Sequence, residues 1–421
     1  MTKVLFISHL HPDHVRGGGQ QACYELFDQF RMEPGYEPTL LACVPKWAKN
    51  SPVVHRDSIV GYDRPDEYLF LTLQYDAVWH SNLELKELQN FEHFLTVLKP
   101  DIVHFQHFLF AGMETILIAR KVMPHAKIVM TLHEFAAICL SDGHMITRSS
   151  RELCSSSSPF RCNDCYPHIP PAAFARRRSY TQDILSQVDH FVVPSRFLGD
   201  RFKAWGLPDE KITYIDNGRS AANDPLPEGH GETRNHYNRF GFTGQLIEAK
   251  GGMVVLEAVD ILRRRGFENF CVNIYGANLA AAPEAFRKRI ENPDDDMHKN
   301  LTFKGSYSAS QIGQIMKTLD WVLVPSIWWE NAPMVIQEAF MHRKPVICSN
   351  IGGMAEKVSH MIDGLHFNVR DPYALADTIQ FAVEDQQLHP KLVAGIKPVF
   401  SAREGAQQHK KLYANLGSEL T

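Results

Sequence analysis

"WWENAPMVIQEA", residues 328–339, sets two glutamates, Glu330 and Glu338, eight positions apart around the predicted start of a helix. Asn331 is a favoured N-cap type, and Pro333 suits a first turn, where a missing N–H costs nothing. The predicted helix runs roughly through Arg343, before Lys344-Pro345 restarts a strand. An apolar run, "WVLVP" (321–325), precedes the segment and another, "KPVICS" (344–349), follows it. The segment therefore reads as the helix of a strand–helix–strand unit.

The same alternation recurs along the chain. "KVLFIS" (3–8), "DIVHF" (101–105), "KIVMTL" (127–132) and "HFVVP" (190–194) are candidate strands of the first half. "RFGFTG" (239–244), "CVNIYG" (271–276) and "LTFKG" (301–305) join the two named above in the second. Near-continuous apolar runs fit parallel strands covered on both faces. Helical stretches lie between them; in "QQACYELFDQF", Ala22, Cys23, Leu26, Phe27 and Phe30 form one stripe. Strands alternating with helices imply an α/β fold with parallel sheets. A polar, Gly/Asn/Pro-rich stretch, residues 216–235, is the predicted linker. It separates a domain over 1–215 from one over 236–399, with a last helix, about 400–421, packing back on the first. Two such domains would turn the carboxyl ends of their sheets toward a ligand across a cleft.

Composition excludes several classes. With 44 basic and 48 acidic residues the net charge is −4, which gives no support for nucleic-acid binding. The first apolar stretch is too short for a signal-peptide core, and no run is long enough to span a membrane. Eight cysteines without an export signal point to a reducing cytoplasm.

Placed at a helix start, the segment acquires a chemical reading. N–H groups at about Pro333 to Val335, Pro333 itself being silent, favour an anion such as a diphosphate. Glu330, just before the helix, can then touch the sugar beside that phosphate, and Glu338 can accept hydrogen bonds from a ribose diol. The plain alternative makes Glu330 part of the cap and Glu338 an ordinary exposed helix residue. Two further turns bear on the choice. In "FGFTGQLIEAKGG" (240–252), Lys250 stands at the mouth of a helix, where a lysine reaches a phosphate and glycine lets the backbone approach. In "RGGGQQ" (16–21), three glycines join the first strand to the first helix, without the G-x-G-x-x-G dinucleotide pattern.

The chain resembles the retaining glycosyltransferases of family 4, which have the two-domain GT-B fold. The E-x7-E pair in "PSIWWENAPMVIQEAF", the "GQLIEAKGG" turn and "NIGGMAEKVSHMIDGLHF" carry the resemblance in the second half. "RGGGQQ", "PDIVHFQH", "TLHEF" and "VVPSRFL" carry it in the first. The resemblance implies that Glu338 holds the donor ribose and Glu330 contacts the donor sugar or its phosphate. The backbone of Asn331, Ala332, Pro333, Met334 and Val335 would flank the sugar and diphosphate, and Lys250 would bind the diphosphate. Gly18 and Gly19 would pack against the donor, and His133 would lie near the sugar and acceptor. Glu330, His133 and Lys250 are thus the candidate catalytic residues. No metal is implied for the reaction.

Where the family usually has an arginine, this chain has Gln245, so one charge-assisted bond to the diphosphate is absent. Its loss would weaken donor binding by about 1.5–3 kcal/mol unless Arg16 or Arg219 replaces it. Cys139, Cys154, Cys162 and Cys165 cluster in sequence with one C-x2-C, which fits a structural zinc site, a disulfide or free thiols. Cys23, Cys43, Cys271 and Cys348 read as core. The run Arg176–Arg177–Arg178 reads as a solvated helix face or a patch for an anionic membrane. Of Trp328 and Trp329, one is expected in the core and the other against a sugar. The implied activity is a cytoplasmic, metal-independent, retaining transfer from a nucleoside-diphosphate sugar to a saccharide or lipid-linked acceptor, in surface polysaccharide or glycolipid assembly. A sugar-nucleotide epimerase, a phosphorylase and a non-catalytic sugar-binding protein are the rivals.

Overall fold

Strand β1 (Thr2–Ser8) is buried without a break from Val4 to Ser8, which only a strand covered on both faces requires. The computed structural model describes residues 1–15, 17–47, 57–220, 236–277, 279–291 and 299–418. They form two units, Met1–Ser220 with Phe400–Thr421, and Ala221–Val399. Arg16 and residues 221–235 of the predicted linker lie outside the described residues.

The first unit also holds β2 (Tyr36–Pro45), β3 (Ile59–Gly61), β4 (Glu67–Thr72), β5 (Tyr75–Asp76) and β6 (Ser81–Asn82). They are followed by β7 (Ile102–Phe105), β8 (Lys127–Thr131), β9 (His190–Val193) and β10 (Ile212–Tyr214). Among the described residues the main sheet has the order β10-β9-β8-β7-β1-β2-β4-β3, parallel except for β3 against β4. The helix Gly18–Met32 turns the expected stripe inward: Ala22, Cys23, Leu26, Phe27 and Phe30 are all buried. Leu412, Tyr413 and Leu416 of the helix Ala402–Ser418 join Phe6, Phe27 and Phe30 in one core cluster. Asp216–Ser220, read from sequence as the start of the linker, is built into this unit. There Arg219 N donates to Phe400 O at 3.0 Å, and Ala402 N to Arg219 O at 2.9 Å.

In the second unit β11 (Arg239–Gln245), β12 (Cys271–Ala277), β13 (Leu301–Gly305), β14 (Trp321–Val324), β15 (Val346–Ser349) and β16 (Gly364–Phe367) form a wholly parallel sheet. Its order is β13-β12-β11-β14-β15-β16. The direction of winding reverses between β11 and β14, where loops diverge and a crevice opens at the carboxyl ends. Helices such as Gly252–Arg264 and Pro372–Glu384 cover the sheet through Val255, Val259, Leu375 and Ile379.

Three sequence expectations are corrected. The helix after Glu330 spans Met334–Met341 with Pro333 as its N-cap residue, so Asn331 is not the cap. Trp328 and Trp329 are both half-buried, and Trp321 is the tryptophan of that core. Cys271 is half-buried as well, while Cys23, Cys43 and Cys348 are buried.

The first unit buries an unusual set of imidazoles. Burial lowers His11 and His409 to about 4 and His80 to about 3, and drives His104 well below its ordinary value. Each ring is neutral in the folded chain but takes up a proton near pH 6.5 when unfolded. The unfolded chain therefore binds more protons between about pH 4 and 6.5, and stability falls as pH drops through that window. Glu67 and Glu87, raised by burial, pull the other way, and the buried imidazoles outnumber them. The thermal midpoint is expected to fall by several degrees between about pH 7 and pH 5, and more gently in a His104→Gln variant. A midpoint flat across that interval would contradict this account.

Candidate active site

At the switch point of the second unit two loops meet. β11 ends at Gln245, and the chain turns through Glu248–Lys250 into the helix Gly252–Arg264. β14 ends at Val324, and residues 325–333 lead into the helix Met334–Met341. Ile327 N donates to Ala249 O at 2.8 Å, which ties one loop to the other. Gly251, at φ +74°, packs on the Pro325 carbonyl, and any side chain there would run into that oxygen.

This bracing brings Lys250 onto Glu330. Lys250 Nζ donates to Glu330 Oε1 at 2.5 Å, and Ser326 Oγ donates to the same oxygen at 2.7 Å. Glu330 is only 4% exposed, so its charge is matched by the ammonium and the hydroxyl rather than by bulk water. Lys250 also lies 5.6 Å above the Trp328 ring, close enough for a cation–π contact. Glu330 O accepts from Gly353 N at 2.8 Å, and a Cβ at Gly353 would collide with the Asn331 carbonyl. The glycines of "NIGGMAEKV" therefore seat the Glu330–Asn331 turn.

The helix ladder beyond that turn begins with Ile336 N to Pro333 O at 3.1 Å. N–H groups ahead of it have no partner within the helix and, with the dipole, make its mouth attractive to an anion. Asn331 is buried, while Ala332, Met334, Val335 and Glu338 are half-buried. Tyr307 is pushed up to about 12 by burial first and then by the charge of Glu338. Gln245 is exposed at the end of β11. Arg219, considered as a substitute for the missing arginine, is engaged by Glu25 in the first unit, Nη1 to Oε1 at 2.5 Å.

In the first unit the corresponding loops also follow the carboxyl ends of strands. The helix Gly18–Met32 begins at Gly18, and a Cβ on Gly19 would stand 3.5 Å from His133 Cγ and 3.6 Å from His9 Cε1. His133 Nε2 lies 3.0 Å from Gln106 Oε1, and His107 Nε2 lies 2.9 Å from Glu134 Oε1. Burial, then the neighbouring His107 and His133, lowers His9. Burial, then His107 and His409, lowers His133 to about 3, so that ring is neutral at physiological pH.

Ser326, Tyr307, His9, Gln106, His107 and Glu134 were given no role by the sequence, and Trp328 was weighed only as one of a pair with Trp329. Ser326, Trp328, Gln106, His107 and Glu134 sat inside motifs that had been singled out, but no short stretch shows which neighbours they reach; Tyr307 and His9 lay outside those motifs.

The remaining sequence signals resolve as follows. Cys139, Cys154, Cys162 and Cys165 line one pocket of about 30 Å³. Among the described residues no three His, Cys, Asp or Glu side chains form a set able to hold a metal ion. The basic run Arg176–Arg178 is not a continuous surface patch. Arg177 is 4% exposed and donates to the carbonyls of Val78, Ala136 and Ala137, and Arg178 donates to Trp205 O. No helix among the described residues is long and apolar enough to cross a membrane.

Two family models match this chain, "Glycosyltransferase Family 4" over residues 16–222 and "Glycosyl transferases group 1" over residues 230–397. The chain belongs to glycosyltransferase family 4. Similar curated proteins are the D-inositol 3-phosphate glycosyltransferases of Corynebacterium efficiens, 28% identical over 155 residues, and Jonesia denitrificans, 29% over 171. Those alignments cover 36% and 40% of this chain, and 36% and 38% of the relatives' length. Sucrose-phosphate synthase of Thermosynechococcus elongatus superposes with a TM-score of 0.71 at 16% identity, over 100% of each chain. Anabaena Alr3699/HepE in complex with UDP superposes at 0.67 and 14%, over 99% of this chain and 100% of the other. The fold of this family member is therefore GT-B.

A Gly353→Ala substitution is expected to cost about 1–3 kcal/mol of stability, because its methyl must displace the Glu330–Asn331 turn. Gly61→Ala, which meets nothing within 4 Å, is the control. Equal thermal midpoints for the two variants would show that the turn is not held in this way.

Proposed function

We propose that this chain transfers a sugar from a nucleoside-diphosphate sugar to a saccharide or lipid-linked acceptor, with retention at the anomeric carbon and without a catalytic metal. Membership of family 4 and the UDP and UDP-glucose complexes of its structural neighbour Alr3699/HepE support the reading. The observation that carries it is the Lys250–Glu330–Ser326 cluster at the switch point, directly ahead of the helix that bears Glu338.

In this reading the diphosphate takes Lys250 from Glu330. The ammonium and the helix mouth then face the negative charge that grows on the leaving oxygen as the glycosidic bond breaks. Glu330, losing its partner, turns its carboxylate to the donor sugar, where positive charge develops at the anomeric carbon. Glu338 accepts from the ribose hydroxyls. The backbone from Asn331 to Val335 flanks the sugar and diphosphate. With Gln245 in place of an arginine, Lys250 carries more of the diphosphate's charge. Departing phosphate oxygen receives the acceptor's proton on the face that it leaves, which gives retention without a covalent enzyme intermediate. Gly18, Gly19 and His133 serve the sugar and acceptor from the first unit. A role in surface polysaccharide or glycolipid assembly at the cytoplasmic side of a membrane fits this chemistry.

Thermal unfolding with UDP, GDP and ADP in turn tests the proposal, and the neighbour's ligands make UDP the first choice. At about 100 times its dissociation constant a nucleotide stabilises by about 2.7 kcal/mol, a visible rise in midpoint. Glu338→Ala is expected to abolish that rise, and Lys250→Ala to weaken binding about tenfold to a hundredfold. No rise with any of the three nucleotides would overturn the donor assignment.

A further inference from the structure

A notch the size of a methyl group lies above Gly19, walled by two imidazoles of the first unit. A Cβ built on Gly19 would stand 3.5 Å from His133 Cγ, 3.7 Å from His133 Cβ and 3.6 Å from His9 Cε1. These are ordinary van der Waals distances, so a methyl group would fill the space without collision. Gly19 lies in the helix Gly18–Met32, in which glycine is a weaker helix former than alanine. Its backbone is not left-handed, so no local conformation calls for glycine there. What the glycine supplies is the room beside the two rings.

His9, the residue after β1, meets the notch at Cε1, the ring carbon bonded to both nitrogens. Its ring rests on that of His107, with centroids 4.6 Å apart. His107 has no hydrogen bond to spare. Leu109 N donates to its Nδ1 at 3.1 Å, so its proton is on Nε2, which lies 2.9 Å from Glu134 Oε1. His9 differs: among the described residues no hydrogen bond engages either of its nitrogens, although the ring is half-buried. Polar groups withdrawn from water without partners are costly, and a ligand that supplies the partner removes that cost. Burial, with His107 and His133 nearby, keeps the His9 ring neutral, so it presents one donor and one acceptor.

We propose that the notch receives a hydroxyl group of a saccharide, and that His9 is a specificity-determining residue that hydrogen-bonds this hydroxyl beside His133. A hydroxyl both donates and accepts, which matches a neutral imidazole; a phosphate oxygen calls for donors or cations instead. That the saccharide arrives with a nucleotide rests on the transferase reading; the notch does not. Donor sugar and saccharide acceptor offer the same hydroxyl chemistry, and the test separates them.

The test is a proton–carbon correlation spectrum of the full chain labelled with ¹³C-histidine. The Cε1–H signal of His9, assigned with His9→Phe, reports on the notch. UDP alone is expected to leave it in place. UDP-glucose shifts it if the donor sugar fills the notch, and UDP with free glucose shifts it if an acceptor does. A signal that moves with neither, or moves equally with UDP alone, overturns the proposal. Gly19→Ala is expected to keep the thermal midpoint at or above that of wild type, because alanine suits a helix better, and to abolish the sugar-dependent shift. A shift retained beside the added methyl overturns the proposal as well. His9→Phe keeps a ring on His107 and removes both nitrogens. It is expected to weaken whichever sugar ligand shifts the signal about tenfold, with UDP affinity within about twofold. Equal losses for the sugar ligand and UDP, or no loss, overturn the role of His9. Should UDP fail to raise the midpoint of wild type, the transferase reading falls and glucose alone decides. A His9 shift then keeps the notch as a saccharide site, and its absence overturns it.

Discussion

Parallel pairing is the constraint from which the rest of this molecule follows. A parallel strand cannot be reached by a tight turn, so each connection crosses over through a helix and returns to the same edge. All six strands of the second unit obey this, and the order β13-β12-β11-β14-β15-β16 leaves one place where successive connections part. Lys250 leaves β11 there and Glu330 leaves β14, which is why residues 80 positions apart share an oxygen at 2.5 Å. Without the reversal between β11 and β14, the same two loops would emerge over different gaps in the sheet.

Electrostatics at that point are arranged around a charge the protein neutralises internally. Glu330 is buried, and a buried carboxylate requires a partner. Lys250 and Ser326 supply it at a modest cost, since both lie on loops already tied by Ile327 and Ala249. The ion pair therefore stores a lysine in place, oriented and partly desolvated. In the proposed reaction, a diphosphate competing for it would meet a preorganised cation instead of a flexible surface side chain.

The first unit solves a different problem with different chemistry. Its buried imidazoles, His9, His80, His104, His133 and His409, are held neutral by burial, and its buried guanidinium, Arg177, is satisfied by three carbonyl oxygens and His80. These contacts join β6–β8 and the loops after them to the helices Pro171–Leu185 and Ala402–Ser418. Tyr413, on the helix that comes last in the chain and 309 residues beyond His104, joins this set at 2.6 Å from His104 Nδ1.

The alternation of apolar runs with amphipathic helices was legible from sequence because it is local: each strand and each stripe announces itself within a dozen residues. The E-x7-E pair, "KGG" and "TLHEF" were legible for the same reason, as short motifs at strand ends. Strand β2 was missed because Pro38, Pro45 and Glu37 disguise a run that β1 and β4 bury from both sides. Asn331 looked like a cap by residue type, but its carbonyl is held against Gly353, and the helix starts three residues later. Arg177 read as surface charge because nothing within its own helix shows that Val78, Ala136 and Ala137 converge on it. Sequence by itself determined the α/β class, the family and the identity of the residues at the strand ends. Tertiary structure alone decided which of them touch, because contacts such as Lys250–Glu330 and Tyr413–His104 depend on strand order, a property that no short stretch of the chain contains.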